Sequence, residues 1–381
     1  MNVGIFTNAY HPIVSGVVNA IDCIRQGLSG LGHQTYVIAP NYSGYREKDP
    51  NVIRVPSIRL TRKADFPLPL PYFKRLEKTM DKLNLDIVHT QHPFLLGGFA
   101  EKIAAKKNIP LVFTFHTQYE IYLHYAPFFI PEAVSQWYIR KIVTEHIKRC
   151  DAVVVPASSI LPAVAEYGGQ TKSHLIPNAI DVEKFNRGNS EPVIRRFNLA
   201  NKKTLIFVGR MAVEKNLSFL LKAFKKIHDA LPETVLLLVG GGPHLDALKG
   251  EVRDMGLMNQ VIFTGMVSYE EIPDYLKAAH LFVMASTSEV NPLSLLESMA
   301  AGLPIVAVRA PGAMDTITDG QDGLLIDENL DHFADTVVRL LKKDQLLETM
   351  KKNAESKAKK FGIPEYGRKL EELYQKLLLA K

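Results

Sequence analysis

HLFVMASTSEVNPLSLLESMAAGLPIVAV, residues 280–308, holds a strand, a turn, a helix and a second strand in succession. The apolar run HLFVMAS ends in a short polar loop, LSLLESMAAG repeats its apolar residues at helical spacing, and Gly302 and Pro304 stop the helix before PIVAV. A strand that feeds a helix and then another apolar strand is the βαβ unit of a parallel sheet. Asn291 is a good helix N-cap and Pro292 suits the first helical position. The helix is then expected to open just beyond a strand's carboxyl end, with the amides of Leu293 and Ser294 available to a diphosphate or to sugar hydroxyls. Glu289 precedes the helix, and Glu297 lies about one turn inside it, roughly 6 Å along the axis from Leu293. The two carboxylates can therefore reach different parts of one ligand. A single glutamate is usually just a surface charge, but Glu297 sits in LSLLESMAAG, where an unpaired charge is costly, and that context favours a ligand.

The same alternation runs through the whole chain. NVGIFTN, TYVIAP, DIVHTQ, LVFTFHT and AVVVPAS read as strands in the first half. After HLIPNAIDVEKF the pattern restarts with TLIFVGR, TVLLLVGG and QVIFTGM, separated by helices such as NLSFLLKAFKKIHDAL. At 381 residues the chain is too long for one comfortable core. The reading is an α/β protein of two Rossmann-like domains: residues 1–180, and residues 181–362, with the helix 363–381 packed back on the first. Ligands of such sheets sit beyond the carboxyl ends of the strands, so a central cleft faced by both sheets is the expected site.

Composition narrows the class. A hydrophobic fraction of 46% with 23% charged residues suits a folded globular chain and argues against disorder. The first residues lack the pattern of a signal peptide, and no apolar run approaches the roughly 18 residues of a membrane span, so a cytoplasmic location is expected. Cys23 and Cys150 are the sole cysteines and lie far from metal-spaced histidines, which supports neither a disulfide framework nor a zinc site. The net charge of +6 is lopsided: residues 1–180 carry 19 Lys+Arg against 13 Asp+Glu, and residues 181–381 carry 27 of each. The N-terminal half is thus suited to an anionic partner.

Other segments add candidate chemistry. In LIFVGRMAVEKN, Arg210 and Lys215 sit at a strand-to-helix turn, where two cations can neutralise a diphosphate; solvated pairing with Glu214 is an equal reading. The glycines of LLLVGGGPHLDAL allow close approach to a nucleotide, and simple turn geometry explains them as well. Gly16, in AYHPIVSGVVNAI, stands where a helix begins, so its amide can meet a phosphate or merely start the helix. His116 ends the strand LVFTFH, His89 and His92 end a neighbouring one, and His124 follows; without carboxylates at ligand spacing they make no metal site. No Asp-x-Asp pair is present to hold a divalent ion, which leaves Arg210, Lys215 and helix amides to bind a diphosphate. No P-loop and no strand-borne G-x-G-x-x-G with a following acidic residue occurs, which disfavours a P-loop ATPase and a dehydrogenase.

Taken together, PIVSGV, TFHTQYE, LIPNAIDVEKF, VGRMAVEKN, GGGP, VIFTGMV and Glu289-x7-Glu297 resemble, in the same order, the retaining GT-B glycosyltransferases of family 4 over essentially the whole chain. The resemblance implies a diphosphate clamp at Arg210 and Lys215, a ribose-binding carboxylate at Glu297 and a sugar contact at Glu289. It also implies a diphosphate contact at the backbone of Gly16, a place for His116 beside the donor sugar, and a backbone contact to the base at Val267. It implies no cofactor: the nucleotide sugar is a substrate, and the reaction stabilises a departing diphosphate and a cation-like sugar. Pro292 departs from the pattern, since many members place there a glycine whose amide contacts the sugar; Leu293, Ser294 and the Asn291 side chain are left to serve.

HTQYEIYLHYAPF and VHTQHPFLLG look most like the 1,2-diacylglycerol 3-glucosyltransferases, enzymes that glucosylate diacylglycerol at the membrane. In SIRLTRKADFPLPLPYFKRLEKTMDK, the residues Arg59, Arg62, Lys63, Lys74 and Arg75 surround Phe66, Tyr72 and Phe73, a mixture that suits adsorption to anionic lipid at about 1 kcal/mol per cation. The expectation is a hexosyltransferase that moves glucose from UDP-glucose to a diacylglycerol-type lipid, held peripherally at the inner face of the cell membrane. Its alternatives are the same fold with an inositol phospholipid or soluble acceptor, and a non-catalytic sugar-nucleotide binder. A nucleic-acid partner is not expected, because the basic residues cluster with apolar ones and no recognition motif is present.

Overall fold

The computed structural model describes residues 1–13, 15–58, 67–70, 73–116 and 132–381. The chain forms two compact units, Met1–Asn178 with Ile363–Lys381, and Ala179–Gly362.

The first unit is built on strands β1 (Asn2–Phe6), β2 (Gln34–Pro40), β3 (Val52–Val55), β4 (Ser57–Ile58), β5 (Leu68–Pro69), β6 (Ile87–Thr90), β7 (Leu111–Thr114), β8 (Ala152–Val155) and β9 (Ser173–Leu175). Seven form a parallel sheet ordered β3-β2-β1-β6-β7-β8-β9, while β4 and β5 pair antiparallel. Every residue of β6, β7 and β8 is buried, as expected of a parallel sheet covered on both faces. The direction of winding reverses between β1 and β6, so the crevice beyond their carboxyl ends is the natural ligand position in this unit.

The C-terminal helix Ile363–Leu379 lies against the helix Gly16–Gly30. The contact is close because two glycines meet: a Cβ on Gly27 would stand 2.9 Å from the Gly367 Cα. Two side chains pin the helix further, His33 to Glu371 at 2.8 Å and His89 to the Tyr374 hydroxyl at 2.7 Å. Gly367→Val is expected to lower stability by about 1–3 kcal/mol, since the facing atoms are backbone and cannot step aside; a thermal midpoint equal to that of the parent would contradict it.

The second unit carries β10 (Lys203–Val208), β11 (Thr234–Val239), β12 (Val261–Gly265), β13 (Leu281–Met284), β14 (Ile305–Val308) and β15 (Gly323–Ile326), all parallel in the order β12-β11-β10-β13-β14-β15. Its winding reverses between β10 and β13. The turns leaving these two strands are the segments that carry Arg210 and Lys215 on one side and Glu289 on the other. Both passages of the chain out of this unit run side by side, with Ile180 N donating to Phe361 O at 3.0 Å.

The short pair β4 and β5, and strands β3, β9 and β15 of the two parallel sheets, are additional to those read from the sequence. The last three are all sheet edges of three or four residues; β3 and β9 are only partly buried, and β15 is largely buried but too short to stand out from its flanking turns.

Candidate active site

In the second unit the site is made by two turns and one helix. Strand β13 leads through residues 285–292 into the helix Leu293–Ala300. The helix begins one residue later than the sequence suggests: Pro292 itself is the cap, with φ −70° and an extended ψ of 116°. Proline accepts the cap as readily as the first turn, because its fixed φ fits either and its missing N–H is needed at neither. Asn291 is therefore not the cap. Its side chain is buried, with Nδ2 3.5 Å from the Thr316 hydroxyl, which in turn donates to Gly312 O at 2.9 Å. Leu295 N reaches Pro292 O at 3.1 Å, and the amides of Leu293 and Ser294 precede any intrahelical acceptor, so this end can receive an anion or a hydroxyl.

Glu289 forms an ion pair with Lys215, which brings the turns after β10 and β13 together. Both side chains are mostly shielded, at 18% and 17% exposure. Glu214, beside Lys215 in the chain, has its Oε2 buried without a hydrogen-bond partner among the described residues. The Glu289 carbonyl is held by Gly312 N at 3.1 Å, and only glycine fits there, since a Cβ would lie 2.7 Å from that oxygen. Arg210 is exposed at the start of the same turn as Lys215.

The glycine run after β11 serves this turn. Gly240 has φ 131°, and a Cβ on it would fall 2.1 Å from Gly209 O; a Cβ on Gly242 would fall 2.4 Å from Met211 O. Met211 N donates to Gly241 O at 2.9 Å, and His244 N to Met211 O at 3.0 Å. Two of the three glycines are thereby explained by seating the backbone that carries Arg210.

Glu297 is buried at 5% exposure and accepts a 2.9 Å hydrogen bond from the Tyr269 hydroxyl. Burial pushes its carboxyl up to about 7, against the Tyr269 hydrogen bond and the Lys184 charge, which favour the ionised form. Lys184 Nζ stands 4.1 Å from the centre of the Tyr269 ring and bonds Glu270 at 2.8 Å. Val267, two residues before Tyr269, is partly buried against the core. Sequence reading missed Tyr269, Lys184 and Ser286, whose buried hydroxyl follows β13 with no partner among the described residues. The aromatic in TGMVSYEE was the available hint for Tyr269; nothing in the spacing marks Lys184.

In the first unit, His116 follows β7 and its Nε2 lies 2.6 Å from Gln91 Oε1. Burial, reinforced by His92 and His89, pulls this imidazole down to about 3, so the ring is neutral. With Gln91 Oε1 accepting, the ring proton sits on Nε2 and Nδ1 keeps its lone pair. His89 is fully buried between Tyr374 and the Thr114 hydroxyl, both at 2.7 Å, which is a structural role. His92 Nδ1 accepts from Asn8 N at 3.2 Å. Gly16 is the exposed first residue of its helix, capped by Ser15, whose Oγ accepts from Val18 N at 3.3 Å.

Of the basic and aromatic group, Arg59, Arg62, Lys63, Phe66 and Tyr72 lie outside the described residues, as does His124. Phe73 is described only as the first residue of the helix Phe73–Lys82, on which Lys74 and Arg75 are exposed. No helix among the described residues is long and apolar enough to cross a membrane.

Comparison with known proteins places this architecture. Residues 14–184 match the Glycosyltransferase Family 4 model, and residues 190–357 match that of Glycosyl transferases group 1. The chain is 32% identical to an α-monoglucosyldiacylglycerol synthase of Acholeplasma laidlawii, over 99% of this chain and 98% of that protein. It is also 32% identical to the synthase of that name from Streptococcus pneumoniae, over 85% of this chain and 75% of the other. Among solved structures it is similar in fold to Anabaena HepE in complex with UDP and glucose, with a TM-score of 0.79 and 18% identity over 99% of this chain and all of the other. Sucrose-phosphate synthase from Thermosynechococcus elongatus gives a TM-score of 0.79 at 20% identity, with complete coverage of both. With both sheets wound as these folds require, and 32% identity to one of the synthases over nearly the whole of both chains, the chain belongs to the GT-B glycosyltransferases of family 4.

Proposed function

We propose that this glycosyltransferase moves a hexose, glucose from UDP-glucose, to the hydroxyl of a diacylglycerol-type lipid at an anionic membrane surface, with retention of anomeric configuration. The observation that carries the donor half is the ion pair of Lys215 and Glu289 beside the open helix end at Leu293 and Ser294. Arg210, Lys215 and these amides suit a diphosphate, Glu289 a sugar hydroxyl, and Glu297 the ribose diol. Gly16 and neutral His116 fit a diphosphate and a sugar hydroxyl. The acceptor hydroxyl attacks the anomeric carbon on the face from which the diphosphate departs, the bond to the β-phosphate oxygen breaks, and the hydroxyl proton passes to the leaving phosphate. The protein's contribution is to stabilise the departing charge.

The lipid half rests on the two synthases named for α-monoglucosyldiacylglycerol, and on exposed cations in the first unit. A mannosyl donor is the competing reading, because Pro292 offers no amide to the sugar and a GDP-mannose-dependent α-mannosyltransferase of Corynebacterium glutamicum is 28% identical over 86% of this chain.

Incubation with UDP-glucose, GDP-mannose and diacylglycerol in vesicles, followed by mass and anomeric analysis of the lipid, tests both halves. The expected product is an α-linked monohexosyl lipid formed from UDP-glucose alone. A product formed from GDP-mannose alone would overturn the donor, a β-linkage the retention, and release of nucleotide without lipid product the acceptor. Lys74→Glu with Arg75→Glu is expected to weaken binding to anionic vesicles about tenfold or more, at about 1 kcal/mol per cation lost and an added repulsion; unchanged binding would remove those residues from the membrane contact.

A further inference from the structure

The helix Glu132–Arg149 buries Ser135, Val143, His146 and Ile147 and turns an unusual set of side chains outward. Val134, Trp137 and Tyr138 are 51%, 62% and 58% exposed, and Trp137 is the only tryptophan in the chain. With Lys141 they fall at i, i+3, i+4 and i+7, a single stripe along the helix. Lys141 Nζ lies 5.0 Å from the Trp137 ring centre, and Arg140 is exposed beside it, 3.3 Å from Glu166.

This stripe belongs to a larger surface. The helix Leu96–Lys107 packs against both Phe73–Lys82 and Glu132–Arg149. Right-handed crossovers from β6 to β7 to β8 place the connecting helices on one face of the sheet, in one layer. Exposed on these helices are Lys74, Arg75 and Lys78 on one, Lys102 and Lys106 on the next, and Arg140, Lys141 and Lys148 on the third. Lys106 is paired with Asp81 at 2.7 Å and Lys148 with Glu145 at 3.0 Å, but the three helices together carry 11 Lys+Arg against 5 Asp+Glu, so the layer is cationic. Crossover helices run antiparallel to the strands, so Lys74, Arg75, Val134, Trp137 and Tyr138, all in N-terminal halves, lie toward the carboxyl edge of the sheet. That is the edge at which these sheets take ligands.

We propose that Trp137 and Tyr138 are the inserting anchor of a bilayer-docking face, with the surrounding lysines and arginines resting on anionic lipid headgroups. The proposal rests on the membrane reading above and supplies its contact surface. Tryptophan and tyrosine suit the headgroup boundary, since their rings are apolar and each keeps one polar atom for water. The cations around them add attraction that salt screens. Docking by this edge brings the acceptor end of the sheet to the lipid, so diacylglycerol need not leave the bilayer to react.

Because Trp137 stands alone, it reports on itself. The intact protein is titrated with vesicles of phosphatidylcholine, and with vesicles of phosphatidylcholine and phosphatidylglycerol in equal parts, while emission and cosedimentation are followed. With the anionic vesicles, emission is expected to shift to the blue and to be quenched by lipids brominated in the acyl chain, and both effects should shrink with salt. Trp137→Ala with Tyr138→Ala should weaken partitioning about tenfold or more while keeping turnover on diacylglycerol dispersed in detergent. Cosedimentation with unshifted, unquenched emission would overturn the anchor and leave the proposed function standing. Absence of cosedimentation would overturn both the anchor and the membrane reading, with detergent turnover still testing the chemistry. A blue shift that follows protein concentration without lipid, together with a dimer on gel filtration, would overturn the proposal in favour of self-association.

Discussion

Lys215→Met is expected to lower kcat/KM for the nucleotide sugar by about 10²–10³, the usual cost of removing one donor aimed at charge that develops in the transition state. Lys215 is held by Glu289 between the turns after β10 and β13, so its ammonium is positioned before the donor arrives. Glu289→Gln should cost a similar factor, because it loosens that lysine and removes the carboxylate proposed to hold a sugar hydroxyl. A purely structural ion pair makes a different forecast. Breaking a shielded pair from either side leaves an uncompensated charge, and removing both partners relieves it. Lys215→Met with Glu289→Gln would then recover both stability and turnover. In the catalytic reading the double variant regains stability and remains as slow as the worse single one, since both residues serve one transition state. Thermal midpoints and initial rates on the four proteins distinguish the two outcomes, and recovery of turnover in the double variant is the result that defeats a catalytic role.

That pair also marks the boundary of what the chain's order reveals. The central strands of both sheets are legible because they are apolar on both faces, and the turns after β10 and β13 stand out by their Gly, Arg, Lys and Glu content. The pairing across 74 residues is a product of sheet order, which brings β10 beside β13 and cannot be counted from spacing. The edge strands escape for other reasons: β9 is mostly exposed and shares the composition of a loop, while β3 and β15 are four residues long, too short for a period to declare itself. Asn291 is favoured as a cap by propensity, but burial against Thr316 claims its side chain and leaves the cap to Pro292. Trp137 and Tyr138 are equally opaque: aromatics at helical spacing are usually core, and only the packing of three parallel-layer helices shows that these face outward. Glu297 is the reverse case, for LSLLESMAAG announces a buried carboxylate, and the structure adds the tyrosine that holds it.

Glu297 should make donor affinity depend on pH near neutrality. Its carboxyl is raised from 4.5 to about 7 by burial, so the free protein holds a mixture of acid and carboxylate at physiological pH. A ribose diol donates two hydrogen bonds, and a carboxylate accepts both where the acid accepts poorly. Donor affinity is then expected to be level above pH 7 and to fall about tenfold per unit below it. Glu297→Gln should bind the donor weakly at every pH and lose the slope. Stability must move the other way. A carboxyl raised on folding binds its proton more tightly in the native state, so the neutral form's contribution is complete below about pH 4.5 and is lost as pH rises through about 7. Glutamine is neutral throughout, and it can still accept from the Tyr269 hydroxyl. At pH 8 the variant should therefore exceed the parent in unfolding free energy by about 3 kcal/mol, the worth of the shift, and the difference should fade toward pH 4.5. Donor titration and denaturant unfolding across this range test the two slopes separately. A flat donor profile in the parent would remove Glu297 from the ribose, and an equally stable variant at pH 8 would show that its charge is not confined as the buried position requires.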